Sequence, residues 1–140
     1  MKAYIDTSVV LRIALGESRP LREWRSIEMA CSSELLRIES LRSLDRARLL
    51  LHLPDAELAE RREAVLSIIK GFHIARLDAR VLARAADPFP TLIRTLDAIH
   101  LATALLARTD HEDLVFATHD ARLAIAARAV GFDVIGAPLG

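Results

Sequence analysis

An apolar run that ends near an aspartate and passes straight into a helical pattern occurs twice in this chain. Ala3-Tyr4-Ile5 leads to Asp6 and then to Thr7-Ser8-Val9-Val10-Leu11, and Leu114-Val115-Phe116-Ala117-Thr118 leads through His119 to Asp120 and a helix from Ala121 to Val130. A strand that hands over directly to a helix must reach its next strand by a crossover, so this alternation builds a mostly parallel sheet with helices packed on it. Both aspartates then emerge at the carboxyl ends of their strands, the edge where open α/β folds place their ligands. The expected fold class is α/β, with three α/β/α layers around a mostly parallel central sheet.

The 140 residues suffice for one domain with its own core, so residues 1–140 are expected to form a single domain. A composition 52% hydrophobic and 27% charged excludes a disordered chain. The single cysteine, Cys31, excludes a disulfide framework and a cysteine zinc cluster, and reads as a small buried hydrophobe in a reducing, cytoplasmic setting. Three uncharged residues between Lys2 and Asp6 are too few for a signal-peptide core, and the apolar stretch from Leu96 to Ala107 is too short for a bilayer, so no membrane association is expected. Nineteen basic residues balance nineteen acidic ones, which excludes a protein that coats nucleic acid by bulk charge. Only Lys2 and Lys70 are lysines, so any phosphate contact falls mostly to arginine, with Arg12, Arg37, Arg42 and Arg46 as candidates beside the plainer reading of solvated surface charge.

Along the chain, the pattern predicts a strand to Ile5, a helix over 7–15, a second helix over 19–29 introduced by Pro20, and a short strand or turn at 30–32. Ser33 is placed to cap a long helix over 34–52, which Leu53-Pro54 breaks, and residues 55–70 form a charge-laced outer helix ended by Gly71. A strand around 72–77 follows. Asp78 caps a helix over 79–86, the segment Asp87-Pro88-Phe89-Pro90 is a turn, and Thr91 or Thr95 caps a helix over 96–108. Strands at 114–118 and 132–135 flank the last helix, which Gly131 stops.

Two further acids stand out on helices. Glu39 is four residues from Leu35 and next to Ile38, at the margin of an apolar face; Asp97 shares a stripe with Leu101, Ala104 and Leu105, a core position for a carboxylate. Burying that charge costs several kcal/mol unless something compensates, and the first helical turn and a cation are the available compensations. Each acid also has a plain alternative. Asp6 and Asp120 could be helix caps, and Glu39 could pair with Arg42. Four separate excuses are less economical than one hard-cation site built from oxygen donors, which suits magnesium or manganese. His100, three residues after Asp97, is better read as a packed core histidine than as a ligand, and His119 is expected to point away from the site.

Asp6-Thr7-Ser8, the stretch from Ser33 to Glu39, Leu96-Asp97-Ala98-Ile99-His100-Leu101-Ala102-Thr103-Ala104, and Ala117-Thr118-His119-Asp120-Ala121-Arg122-Leu123-Ala124 together resemble the PIN domain, and closely the VapC toxins of bacterial toxin–antitoxin pairs. The resemblance runs from first strand to last and implies a PIN-like α/β/α fold and a Mg²⁺- or Mn²⁺-dependent endoribonuclease, the toxic component of such a pair. It implies Asp6, Glu39, Asp97 and Asp120 as the catalytic acids, with Asp6, Asp97 and Asp120 as metal ligands and Glu39 set to orient or deprotonate the attacking water. Thr7, Ser8 and Thr118 are then the hydroxyls that hold these carboxylates. Arg122 stands where some members carry a further acid or amide.

The same resemblance implies an RNA substrate and a cognate VapB-like antitoxin, which could silence a four-carboxylate pocket by inserting an arginine. A mean hydropathy of +0.25 adds the expectation of a homodimer, with apolar surface near 19–29 and 49–70 covered by association. A phosphatase with an aspartate nucleophile also begins with an acid after its first strand, but lacks here its second acid, at Ser8, and its lysine at a later strand end. An RNA-processing PIN nuclease outside a toxin pair, or a PIN-like module that binds RNA or protein without cutting, are the remaining alternatives.

Overall fold

The computed structural model describes residues 1–138. Its strands are β1 (Lys2–Ile5), β2 (Met29–Ser33), β3 (His73–Ala75), β4 (Val115–Ala117) and β5 (Val134–Ile135). Its helices are α1 (Thr7–Ala14), α2 (Leu35–Leu51), α3 (Asp55–Lys70), α4 (Ala79–Ala86), α5 (Thr95–Arg108) and α6 (Ala121–Ala129). The five strands form one sheet in the order β3-β2-β1-β4-β5, every neighbouring pair parallel. The three-layer α/β/α reading of the sequence therefore holds.

Alternation along β1 divides the core. Ala3 and Ile5 face a layer built by α1, α2 and α3, packing with Val9, Val10, Leu36, Leu44 and Val65. Tyr4 faces the opposite layer, among Leu101, Phe116, Leu123 and Phe132, with α4 completing that side as its Val81 packs with Ile99 and Ala102 of α5. Ala3, Tyr4 and Ile5 have no solvent exposure, as a central parallel strand covered on both faces requires. From β1 the chain builds outward to β2 and β3, then returns to place β4 on the other side. The reversal leaves a crevice at the carboxyl ends of β1 and β4, where Ile5 and Ala117 are in register.

One predicted element is absent. Between α1 and β2 the chain forms only a 3₁₀ turn at Trp24–Ser26 in place of the helix expected over 19–29. Arg19 adopts a left-handed φ of 60° just before Pro20, which prevents a helical start there. Leu21, Trp24 and Ile27, the residues that mimic a helical stripe, instead anchor an irregular crossing segment to the core. Neither Thr91 nor Thr95 caps α5: Thr95 is its first residue, and Arg94 precedes it in extended conformation without a side-chain cap. Ser33 does accept the Leu35 N–H at 3.1 Å, as expected of a cap. Glu34, just before α2, accepts the backbone N–H of Leu77 at 2.6 Å and ties the start of α2 to the segment after β3.

Candidate active site

Asp6 follows the last residue of β1 and caps α1. Its Oδ2 accepts hydrogen bonds from Ser8 Oγ at 2.6 Å, Thr118 Oγ1 at 2.8 Å and the Ser8 N–H at 3.4 Å. Thr118, directly after β4, is fully buried and also accepts the Asp120 N–H at 3.0 Å, so one hydroxyl links the two strand-end acids. Asp120 caps α6: its Oδ1 accepts the N–H groups of Arg122 at 2.9 Å and Leu123 at 3.0 Å. The capping role that each aspartate could have had alone is thus real, and it uses one oxygen of each. Among the described residues the other oxygen, Oδ1 of Asp6 and Oδ2 of Asp120, has no hydrogen-bond partner.

Glu39 comes from the first half of α2 and is half-buried. Its Oε1 accepts from Thr7 Oγ1 at 2.8 Å and pairs with His100 Nε2, and Oε2 is without a partner among the described residues. The alternative pairing with Arg42 does not form; Arg42 reaches Asp45. Asp97 sits in the first turn of α5, and neither of its oxygens has a partner among the described residues. Burial, then the charges of Asp120 and Asp6, raise the Asp97 pKa; His100 opposes this and Glu39 adds to it. The other three acids therefore all act on Asp97, although residues 6 and 120 bracket most of the chain.

His100 is packed in the core, as expected, and its ring also reaches the site. It is buried, with Nδ1 2.7 Å from Tyr4 Oη and Nε2 on Glu39. Burial pulls its pKa down, but the hydrogen bond to Glu39 and the charges of Asp6, Glu39 and Asp97 more than offset that, leaving it raised. Tyr4 was not evident as a site residue from sequence; the available signal was a polar-tipped aromatic in a strand otherwise wholly apolar from Ala3 to Ile5. His119 turns its ring toward the Gly136 carbonyl, 2.8 Å from Nδ1, while its backbone N–H donates to Ser8 Oγ at 2.9 Å. Gly136 has φ +95° and lies so close that a Cβ there would stand 2.6 Å from the Thr118 carbonyl oxygen. Of the candidate phosphate-binding arginines, Arg12 is engaged by the Arg19 carbonyl at 3.1 Å and by Glu17, whereas Arg37 and Arg46 are exposed.

The donor chemistry suits a hard divalent cation. Four carboxylates each present at least one unpaired oxygen, and hydroxyls or backbone N–H groups hold three of the four. Among the described residues no three His, Cys, Asp or Glu side chains are gathered tightly enough to hold an ion as they stand, a separation that mutual repulsion favours. The residues fit the ion by donor type. A cavity of about 630 Å³ lies elsewhere, between α4, the turn at 87–93 and the start of α5, and none of the four acids lines it.

The sequence matches the PIN domain family model over residues 3–129. It is 36% identical over 135 residues to Ribonuclease VapC46 of Mycobacterium tuberculosis H37Rv, covering 94% of this chain and 95% of the relative. It is 32% identical over 136 residues to Ribonuclease VapC47 of Mycobacterium tuberculosis CDC 1551, covering 92% of each. The crystal structure of PAE2754 from Pyrobaculum aerophilum shares the fold with a TM-score of 0.63 at 16% identity, covering 92% of this chain and 81% of that one. With strand-end acids at the switch point of a parallel sheet and these relatives along its length, the chain belongs to the PIN-domain family, in its VapC branch.

Proposed function

We propose that this protein is a divalent-metal-dependent endoribonuclease, the toxic half of a toxin–antitoxin pair held silent by a VapB-type antitoxin. The observation that carries this reading is the common arrangement of the acids: Asp6, Glu39 and Asp120 are each held through one oxygen and present the other, and Asp97 is charged up against all three. The ribonuclease names of the two mycobacterial relatives support it. Asp6, Asp97 and Asp120 would hold Mg²⁺ or Mn²⁺, which when bound supplies charge neutralisation at the scissile phosphate and lowers the pKa of a water. Glu39 orients the attacking water and accepts its proton on Oε2. Thr7 steadies Glu39 from α1, and Ser8 and Thr118 fix Asp6, so the acids keep their places when negative charge approaches. No cysteine or serine nucleophile is required.

Association is part of the same reading. Leu49, Leu50 and Leu51 are 75%, 70% and 63% exposed at the end of α2, within the region expected to be covered, and they support a homodimer or an antitoxin contact there. No helix among the described residues is long and apolar enough to cross a membrane.

The test is cleavage of a structured RNA by purified protein, freed of any antitoxin, with Mg²⁺ or Mn²⁺. Cleavage is expected to stop with EDTA and with Asp6→Asn while the fold survives. Cutting that persists in EDTA would overturn the mechanism.

A further inference from the structure

Tyr4, His100 and Glu39 form a buried chain of hydrogen bonds across the carboxyl edge of the sheet, from β1 through α5 to α2. Each member stands on an element that carries a site acid. Tyr4 is two residues before Asp6 on the strand that leads to it, and His100 is one helical turn after Asp97. The position of Glu39 is therefore referred, through one imidazole, to the strand and the helix that deliver two of the other acids.

The direction of the chain follows from its chemistry. The Tyr4 phenol is buried with no exposure, where an ionised oxygen would be costly, so it keeps its proton and can donate to Nδ1. The neutral ring then carries its proton on Nε2 and donates it to Glu39 Oε1. If the ring gains a second proton, Nδ1–H donates to the Tyr4 oxygen and Nε2–H still donates to Glu39. In either state Oε1 is occupied by His100 and Thr7, and Oε2 is the oxygen left over. A buried imidazole that only filled space would be costly compared with leucine; here both ring nitrogens are satisfied, and one of them by a site carboxylate.

We propose that His100 is a positioning residue for Glu39: backed by Tyr4, its Nε2–H pins Oε1 so that Oε2 is presented to the attacking water beside the place where Asp6, Asp97 and Asp120 would hold the ion, while His100 itself touches neither ion nor RNA. This rests on the metal-dependent reading above. The experiment compares wild type, Tyr4→Phe, His100→Gln and His100→Phe by Mn²⁺ titration calorimetry and RNA cleavage, after thermal melting by circular dichroism. His100→Phe is expected to weaken Mn²⁺ binding about tenfold or more and to lower kcat with the KM for RNA little changed. His100→Gln, whose amide N–H can still reach Glu39, recovers most of both. Long-range ¹H–¹⁵N spectra of the wild type are expected to show Nε2 protonated, and Tyr4→Phe to lose that fixed state along with part of the Mn²⁺ affinity.

Equal behaviour of the Gln and Phe variants, or a Phe variant matching wild type, overturns the proposal. Should His100→Phe not fold, Tyr4→Phe decides, because it keeps the ring that stacks on Phe116 at 5.2 Å; unchanged affinity and an unchanged nitrogen spectrum count against the role. A wild type that binds no Mn²⁺ removes the metal reading itself, and the role of His100 with it.

Discussion

A half-buried carboxylate with no hydrogen-bond donor costs free energy, and Asp97 adds to that cost the repulsion of Asp120, Asp6 and Glu39. Its pKa in the fold is raised, so between the ordinary carboxylate value and the raised one the native state holds more protons than the unfolded chain. Stability therefore falls as pH rises through that window, and the penalty is complete above it. Asp97→Asn is expected to stabilise the metal-free protein by about 0.5–1 kcal/mol at neutral pH, a modest figure because solvent screens a site at the sheet edge. The gain should vanish below the ordinary carboxylate range, while cleavage is lost at every pH. Melting curves at acid and neutral pH check the sign; a variant less stable than wild type at neutral pH would contradict it. The acids were legible in the sequence because two follow apolar strands and two interrupt apolar helix faces. The Tyr4–His100–Glu39 chain was not, because residues 96 and 61 positions apart announce no contact by local spacing.

At the scale of elements, most helices and strands follow their periodicity and breakers to within a few residues. Failure came where a helical spacing of apolar residues served an irregular segment: Leu21, Trp24 and Ile27 recur every three residues, yet the backbone at Arg19 and Pro20 denies a helix its start. Tertiary anchoring overrode the local pattern. The end of α2 shows another local cost that sequence alone did not reveal. His52 closes that helix in the left-handed region, φ 51°, with its N–H bonded to the Arg48 carbonyl. A side chain with a Cβ is strained there, so His52→Gly should raise stability by about 0.5–1 kcal/mol and the unfolding temperature with it. Because His52 is exposed and remote from the acids, RNA cleavage should not change. A lowered midpoint would show that His52 makes a compensating contact in solution.

For the molecule as a whole, strand–helix alternation foretold a mostly parallel sheet, but not the order of its strands. Short apolar segments such as 115–117 and 134–135 carry no mark of which neighbour they join. Exposed Leu49, Leu50 and Leu51 set an expectation at this scale: light scattering at micromolar concentration should find a dimer, and Leu49→Glu with Leu50→Glu should shift it toward monomer. A wild type that is monodisperse and monomeric would remove that expectation. The late placement of β4 beside β1 has a consequence for synthesis. A growing chain makes Asp6 and Glu39 early, with β1, β2 and the first helical layer, but the crevice has only one wall until residues 115–120 have been added. Messages cut short, or ribosomes stalled, before that point yield protein without Asp120 and without the Thr118 hydroxyl that fixes Asp6. Whatever chemistry the crevice performs is thus withheld until both of its walls have been synthesised.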